Sequence, residues 1–140
     1  RTYFALESSW QSQSLYFTGP DELVLELIGR RRLPASSREG DFHGSELTCL
    51  SEVGLPSTDV PATQASVEAC FGLQPLSAPS PQFAPMGDDE GLLILVDAAR
   101  RWFPEGRVLP AAAGVRVRLG NVATGAVLDA PAQGWHVTSR

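Results

Sequence analysis

Apolar residues in this chain come in short bursts separated by turns rich in Gly, Pro, Ser and Asp. Most bursts alternate apolar with polar positions, the period of a strand with one covered face. Thr2 to Leu6, Ser14 to Thr18 and Leu23 to Gly29 read as three strands. The polar link Glu7 to Gln13 and the turn Gly19-Pro20-Asp21-Glu22 join them into a meander. Arg30 to Gly44 is polar and reads as a linker, and a strand follows from about Cys49 to Pro56. Ser57-Thr58-Asp59 then supplies N-cap chemistry for a helix from about Pro61 to Phe71, with Gly72 just past its end. Ala62, Val67, Cys70 and Phe71 would line its buried face. Gln82 to Met86 and Leu92 to Asp97 read as strands around the turn Gly87 to Gly91. Ala98 to Pro110 reads as irregular, and Gly114 to Leu119 as an alternating strand with Arg116 and Arg118 facing water. A weak strand near Ala126 to Leu128 precedes a tail, Pro131 to Arg140, expected to be poorly ordered.

One residue breaks the pattern. In the run Val24-Leu25-Glu26-Leu27-Ile28, Glu26 shares its face with Val24 and Ile28. A charge there is costly unless it is paired, binds a cation, or reaches water at an edge strand. Glu52, at the start of a strand, reads first as an exposed carboxylate.

Composition narrows the function classes. A chain of 140 residues with 43% hydrophobic and 19% charged content is one ordinary soluble domain with a real core. The longest apolar run, Leu92 to Val96, is too short to span a bilayer. The net charge of −5 makes nucleic acid a poor partner. The basic cluster Arg30-Arg31-Arg32 with Arg38 reads as a solvated connector. Cys49 and Cys70 form no disulfide framework and fit small buried residues in a reducing cytoplasm. Neither His43 nor His136 has a motif around it, and both read as solvated. Asp88-Asp89-Glu90 lacks the spacing of a calcium loop and reads as a turn. No P-loop, dinucleotide fingerprint or nucleophile elbow is present. An arginine at position 1 points to a processed product or a fragment.

The two groups of three strands resemble each other. Phe4-Ala5, Leu15-Tyr16-Phe17 and Val24 to Gly29 can be laid over Phe83-Ala84, Leu92-Leu93-Ile94 and Val115 to Gly120. The implied unit is βαβββ, with the first copy lacking its opening strand and helix. Such tandem units resemble the vicinal oxygen chelate superfamily, which includes glyoxalase I, the bleomycin-resistance proteins and the extradiol dioxygenases. Ser14 to Asp21 followed by Val24 to Ile28 resembles the closing hairpin of a unit. Leu50-Ser51-Glu52-Val53-Gly54-Leu55-Pro56, with Asp59, resembles an opening strand and its helix entry. Phe71-Gly72-Leu73 resembles the helix exit. Gly87 to Ile94, with Arg101-Trp102-Phe103-Pro104, is similar to a subgroup of glyoxalase-like proteins. The resemblance covers roughly residues 1 to 120.

It implies an α+β fold: a curled β-sheet cup from one complete and one truncated βαβββ module, with a helix on the convex side. The expected organisation is a truncated module at 1–30, a linker at 31–47, a complete module at 48–120 and a tail at 121–140. It implies a cup holding a divalent metal (Fe, Mn, Ni or Zn) on strand-borne ligands. Glu26 falls on a last-strand Glu, Glu52 where a first-strand His usually stands, and Val117 where the second last-strand Glu would be. Valine cannot ligate, and carboxylates alone favour hard cations. Trp102 and Phe103 are candidates for an aromatic pocket wall or for a plug of the cup. The expected function is therefore small-molecule binding in the cup beside a degenerate metal site. The alternatives are a metal-dependent lyase or ring-cleaving dioxygenase and a non-catalytic interaction module. The truncated unit leaves a sheet edge that a second copy or a further N-terminal segment would cover.

Overall fold

A computed structural model describes residues 2–6 and 9–140, with the backbone alone of Leu6. Glu7 and Ser8 of the expected first link lie outside the described residues. The fold is α+β: among the described residues, nine strands form three small sheets, with one α-helix. Among the described residues no helix is long and apolar enough to cross a membrane.

The first sheet is the expected meander of β1 (Thr2–Leu6), β2 (Ser12–Thr18) and β3 (Val24–Arg30), antiparallel throughout. Its tight turn is pinned by Gly19 N–H to the Leu23 carbonyl at 2.8 Å and Leu23 N–H to the Pro20 carbonyl at 3.1 Å.

The second sheet holds β4 (Glu52–Ser57), β5 (Phe83–Asp88) and β6 (Gly91–Asp97) in the order β4-β6-β5. β4 runs parallel to β6, which requires the crossover that α1 (Val60–Phe71) supplies. Asp59 caps α1 by accepting from the Ala62 N–H at 3.0 Å. Gly72 ends it in the left-handed region, at φ 70°, its N–H bonded to the Glu68 carbonyl at 2.9 Å. The helix starts one residue earlier than the sequence predicts. Val60, Val67 and Phe71 therefore form the buried stripe, while Ala62 is exposed.

The third sheet contains β7 (Val115–Leu119), β8 (Val127–Ala130) and β9 (Trp135–Ser139) in the order β7-β9-β8. Two expectations change here. Residues 131–140 are not a loose tail: Trp135 and Val137 point alternately inward from β9 and are buried. A strand with only two inward apolar residues carries too little pattern to be read from sequence. And Val115 to Leu119 pairs with β9 rather than extending the β5-β6 hairpin.

Because strand side chains alternate, the second sheet has two different faces. Leu55, Leu93, Leu95, Ala84 and Met86 point to one side, where α1 and the third sheet close the main core around Val67, Phe71, Trp135 and Val137. The Trp135 indole N–H donates to the Pro56 carbonyl at 2.8 Å, tying β9 to β4. The other face carries Glu52, Gly54 and Pro56 on β4 beside Leu92, Ile94 and Val96 on β6. Those three apolar residues are buried as well. This face meets the first sheet, as Trp10 against Phe83 (centroids 6.3 Å apart) and Arg30 against Glu52 attest. The candidate site lies at this second junction.

Candidate functional site

The inner face of the first sheet is unusually polar. The register sets Ser12, Ser14 and Tyr16 of β2 opposite Arg30, Ile28 and Glu26 of β3. Ser12 and Ser14 are buried. Tyr16 and Glu26 are direct cross-strand partners, so the phenol stands beside the Glu26 carboxylate, with Ser14 next along the same face. Burial raises the Tyr16 phenol far above its ordinary range, and the Glu26 charge pushes it the same way. Tyr16 therefore keeps its proton at any physiological pH.

Arg30, the last residue of β3, reaches across to the second sheet. Its Nη2 donates to Oε1 of Glu52, and its Nη1 lies 3.7 Å from Oδ1 of Asp89. The Arg30 side chain is only 3% exposed. Its Nε and Nη1 make no hydrogen bond. The Trp10 ring lies 5.8 Å from the guanidinium carbon, a cation–π contact. Arg32 completes the clasp by binding both oxygens of Asp89 and the Ser9 carbonyl. The Arg32 hydrogen bond holds the Asp89 carboxyl below its usual range. The expected solvated connector is thus corrected for Arg30 and Arg32, since alternation turns Arg30 to the inner face and carboxylates wait there.

Glu52 is also not the exposed residue expected: its side chain is 16% exposed. The parallel ladder puts it beside Leu92, under the first sheet. Burial pushes its carboxyl up to about 7, the Glu26 charge adds to this, and Arg30 opposes it.

Beside this polar cluster opens a cavity of 470 Å³ between the β2–β3 hairpin and the loop that follows β6. Tyr16, Val24, Trp102, Pro104 and Val108 give it apolar and aromatic walls, and Glu22, Glu105 and Arg107 its charges. The loop is a compact hairpin closed by Trp102 N–H to the Val108 carbonyl at 2.8 Å and Gly106 N–H to the Trp102 carbonyl at 3.0 Å. Trp102 lies against the backbone of Gly54. A Cβ there would stand 2.9 Å from its Cζ2 and closer still to Cη2, so the indole needs glycine at that position.

Of the candidates read from sequence, Glu26 and Glu52 come close enough for the charge of one to act on the other. Val117 does not join them, because it packs in the main core on the opposite side of the second sheet. Trp102 lines the cavity. Phe103 stands behind it, its ring 4.7 Å from that of Phe4 and 5.3 Å edge-on from that of Tyr16. His43 is exposed and accepts from Ser45 N–H in a small capping turn; His136 is half-buried and contacts Asp129 at 3.3 Å. Cys49 is exposed rather than buried, because the strand starts at Glu52, after it. Among the described residues no three His, Cys, Asp or Glu side chains gather as a metal-ligand group. Sequence reasoning missed Tyr16 and Arg30. Tyr16 was within reach: counting back from the Gly19–Glu22 turn sets it opposite Glu26. Arg30 shares the face of Glu26 and Ile28 by the same alternation, once the strand is carried one residue past Gly29.

Compared with family models, with curated proteins and with solved structures, the chain matches none.

Proposed function

We propose that this is a glyoxalase- or bleomycin-resistance-like protein that binds a small organic molecule in the cavity walled by Tyr16 and Trp102, beside a degenerate site of the vicinal oxygen chelate kind. The supporting observation is that both candidate metal ligands are already engaged. Glu26 faces the Tyr16 phenol across the strand pair, and Glu52 accepts from the buried Arg30. Two carboxylates held in this way, with Arg30 between the sheets, do not fit a resident divalent cation. A third ligand and release from the guanidinium would both be needed. The cavity is of a size ordinary for ligand pockets, roughly 300–1,000 Å³.

The convergence of Glu26 and Glu52 favours a second reading, a metal-dependent lyase or dioxygenase whose remaining ligands come from elsewhere. Elemental analysis of protein purified without chelator separates the two. The expected result is no stoichiometric Fe, Mn, Ni or Zn, with small-molecule binding undiminished by chelator. Stoichiometric metal that disappears in Glu26→Gln would overturn the first reading in favour of the second.

In the same reading the first sheet corresponds to the three closing strands of a βαβββ unit, and the free edge of β3 is completed by a second copy or a further segment. Sedimentation of this chain as a monomer at all concentrations would exclude the dimer.

A further inference from the structure

The charges around the cavity point to the class of ligand, given the reading above that this cavity is the binding site. Among the described residues, three charged side chains line it: Glu22, Glu105 and Arg107. Arg107 is engaged by Glu105, Nε to Oε2 at 3.2 Å, and its side chain is 80% exposed. Among the described residues Glu22 is left as the uncompensated charge of the wall. Asp21 and Glu22 both stand in the left-handed region, at φ 54° and 60°. Side-chain-bearing residues adopt that conformation at a cost, and here it presents Glu22 at the cavity.

Tyr16 and Trp102 supply aromatic surface, whose ring faces attract cations and repel anions. Behind Tyr16 lies the Glu26 carboxylate, which adds to the same field. The chain as a whole carries −5. An anion entering this cavity would meet two carboxylates against one guanidinium, itself beside Glu105. An organic cation would meet aromatic surface for its body and a free carboxylate for its head.

We infer that the cavity selects organic cations, that is, protonated or quaternary amines carried on a flat apolar body. Selection arises from Glu22 together with the Tyr16 and Trp102 rings, and it requires no movement of the Arg30–Glu52 pair.

The test uses the whole chain and two probes of one ring system, N-methylacridinium and acridine-9-carboxylate, with binding followed by tryptophan quenching at low salt. The cation is expected to bind at least ~10-fold tighter than the anion, and the preference should shrink as salt rises. Glu22→Gln should lower cation affinity roughly 3- to 10-fold and leave the anion unchanged or improved. Trp102→Ala, checked for folding by circular dichroism and with binding read from the probe's own fluorescence anisotropy, should abolish both. Equal or tighter binding of the anion would overturn the charge selection while leaving the cavity as a ligand site. A preference untouched by Glu22→Gln would overturn the role of Glu22. Binding of neither probe to folded protein would overturn the reading of the cavity itself.

Discussion

Arg30 and Glu52, twenty-two residues apart, form a hydrogen-bonded ion pair between two different sheets. The pair is buried, and that decides how it behaves. Desolvation raises Glu52 to about 7 despite the guanidinium beside it. The folded state therefore holds the proton more tightly than the unfolded chain, where Glu52 titrates near 4.5. Stability from this group is complete below about pH 4.5 and is lost as pH rises to about 7 and past it. The full loss is about 3 kcal/mol at 1.36 kcal/mol per unit. Urea unfolding of the protein and of Glu52→Gln between pH 4.5 and 8 checks this. The difference between them should grow with pH in favour of the variant, and parallel curves would refute it.

Removing Arg30 tests the same junction from the other side. Arg30→Met leaves an uncompensated carboxylate between the sheets, a change that costs about 3–5 kcal/mol for a buried pair. The cost should be largest near pH 8 and smaller near pH 5, where Glu52 is protonated. In the Arg30→Met/Glu52→Gln double variant most of it should return. A double-mutant cycle by denaturant unfolding measures the coupling, and additive single effects would show that the pair is not energetically linked.

Gly54→Ala should move Trp102. The added methyl group occupies the space of the indole, and overpacking of this kind costs about 1–3 kcal/mol. The expected readout is a shifted tryptophan emission with weakened probe binding in the cavity. Combining it with Trp102→Ala should recover stability but not binding.

Trp135→Phe keeps a smaller aromatic ring in the core and deletes the hydrogen bond to the Pro56 carbonyl, and the unsatisfied buried acceptor alone costs about 1–3 kcal/mol. Trp135→Ala should cost about 3–5 kcal/mol. Hydrogen exchange should then rise in β7, β8 and β9 ahead of the first sheet, since the third sheet is held largely through the main core. Uniform exchange across all three sheets would contradict this.

How far sequence reaches differs between the parts of this molecule. The meander, α1 and the β5–β6 hairpin were legible because each has a local signature: a period of two around Gly19–Glu22, Asp59 and Gly72 at the helix ends, and the turn at Asp88–Gly91. Asp88 Oδ1 accepts from the N–H groups of Glu90 and Gly91 there, as turn chemistry anticipates. The third sheet was not legible. β8 and β9 are short, and their inward residues are few, so what orders them is contact with a core assembled from distant segments. The candidate site divides in the same way. Glu26 stood out as a charge in an apolar strand, whereas Arg30 looked like one of three surface arginines until the pairing of β2 with β3 turned it inward. Glu52 was recognised as a position, but its environment belongs to the junction between sheets.

The placement of α1 has a further consequence for the order of events at the ribosome. The helix and the second sheet emerge before β9, and their shared core stays incomplete until Trp135 and Val137 arrive from a later segment. Until then Val67, Phe71, Leu93 and Leu95 face solvent or whatever shields nascent chains. Limited proteolysis of stalled chains ending before and after β9 would locate the step, with protection expected only once β9 is free to pack. The second sheet thus stays unfinished until a strand of a different sheet, well beyond it in the chain, has arrived.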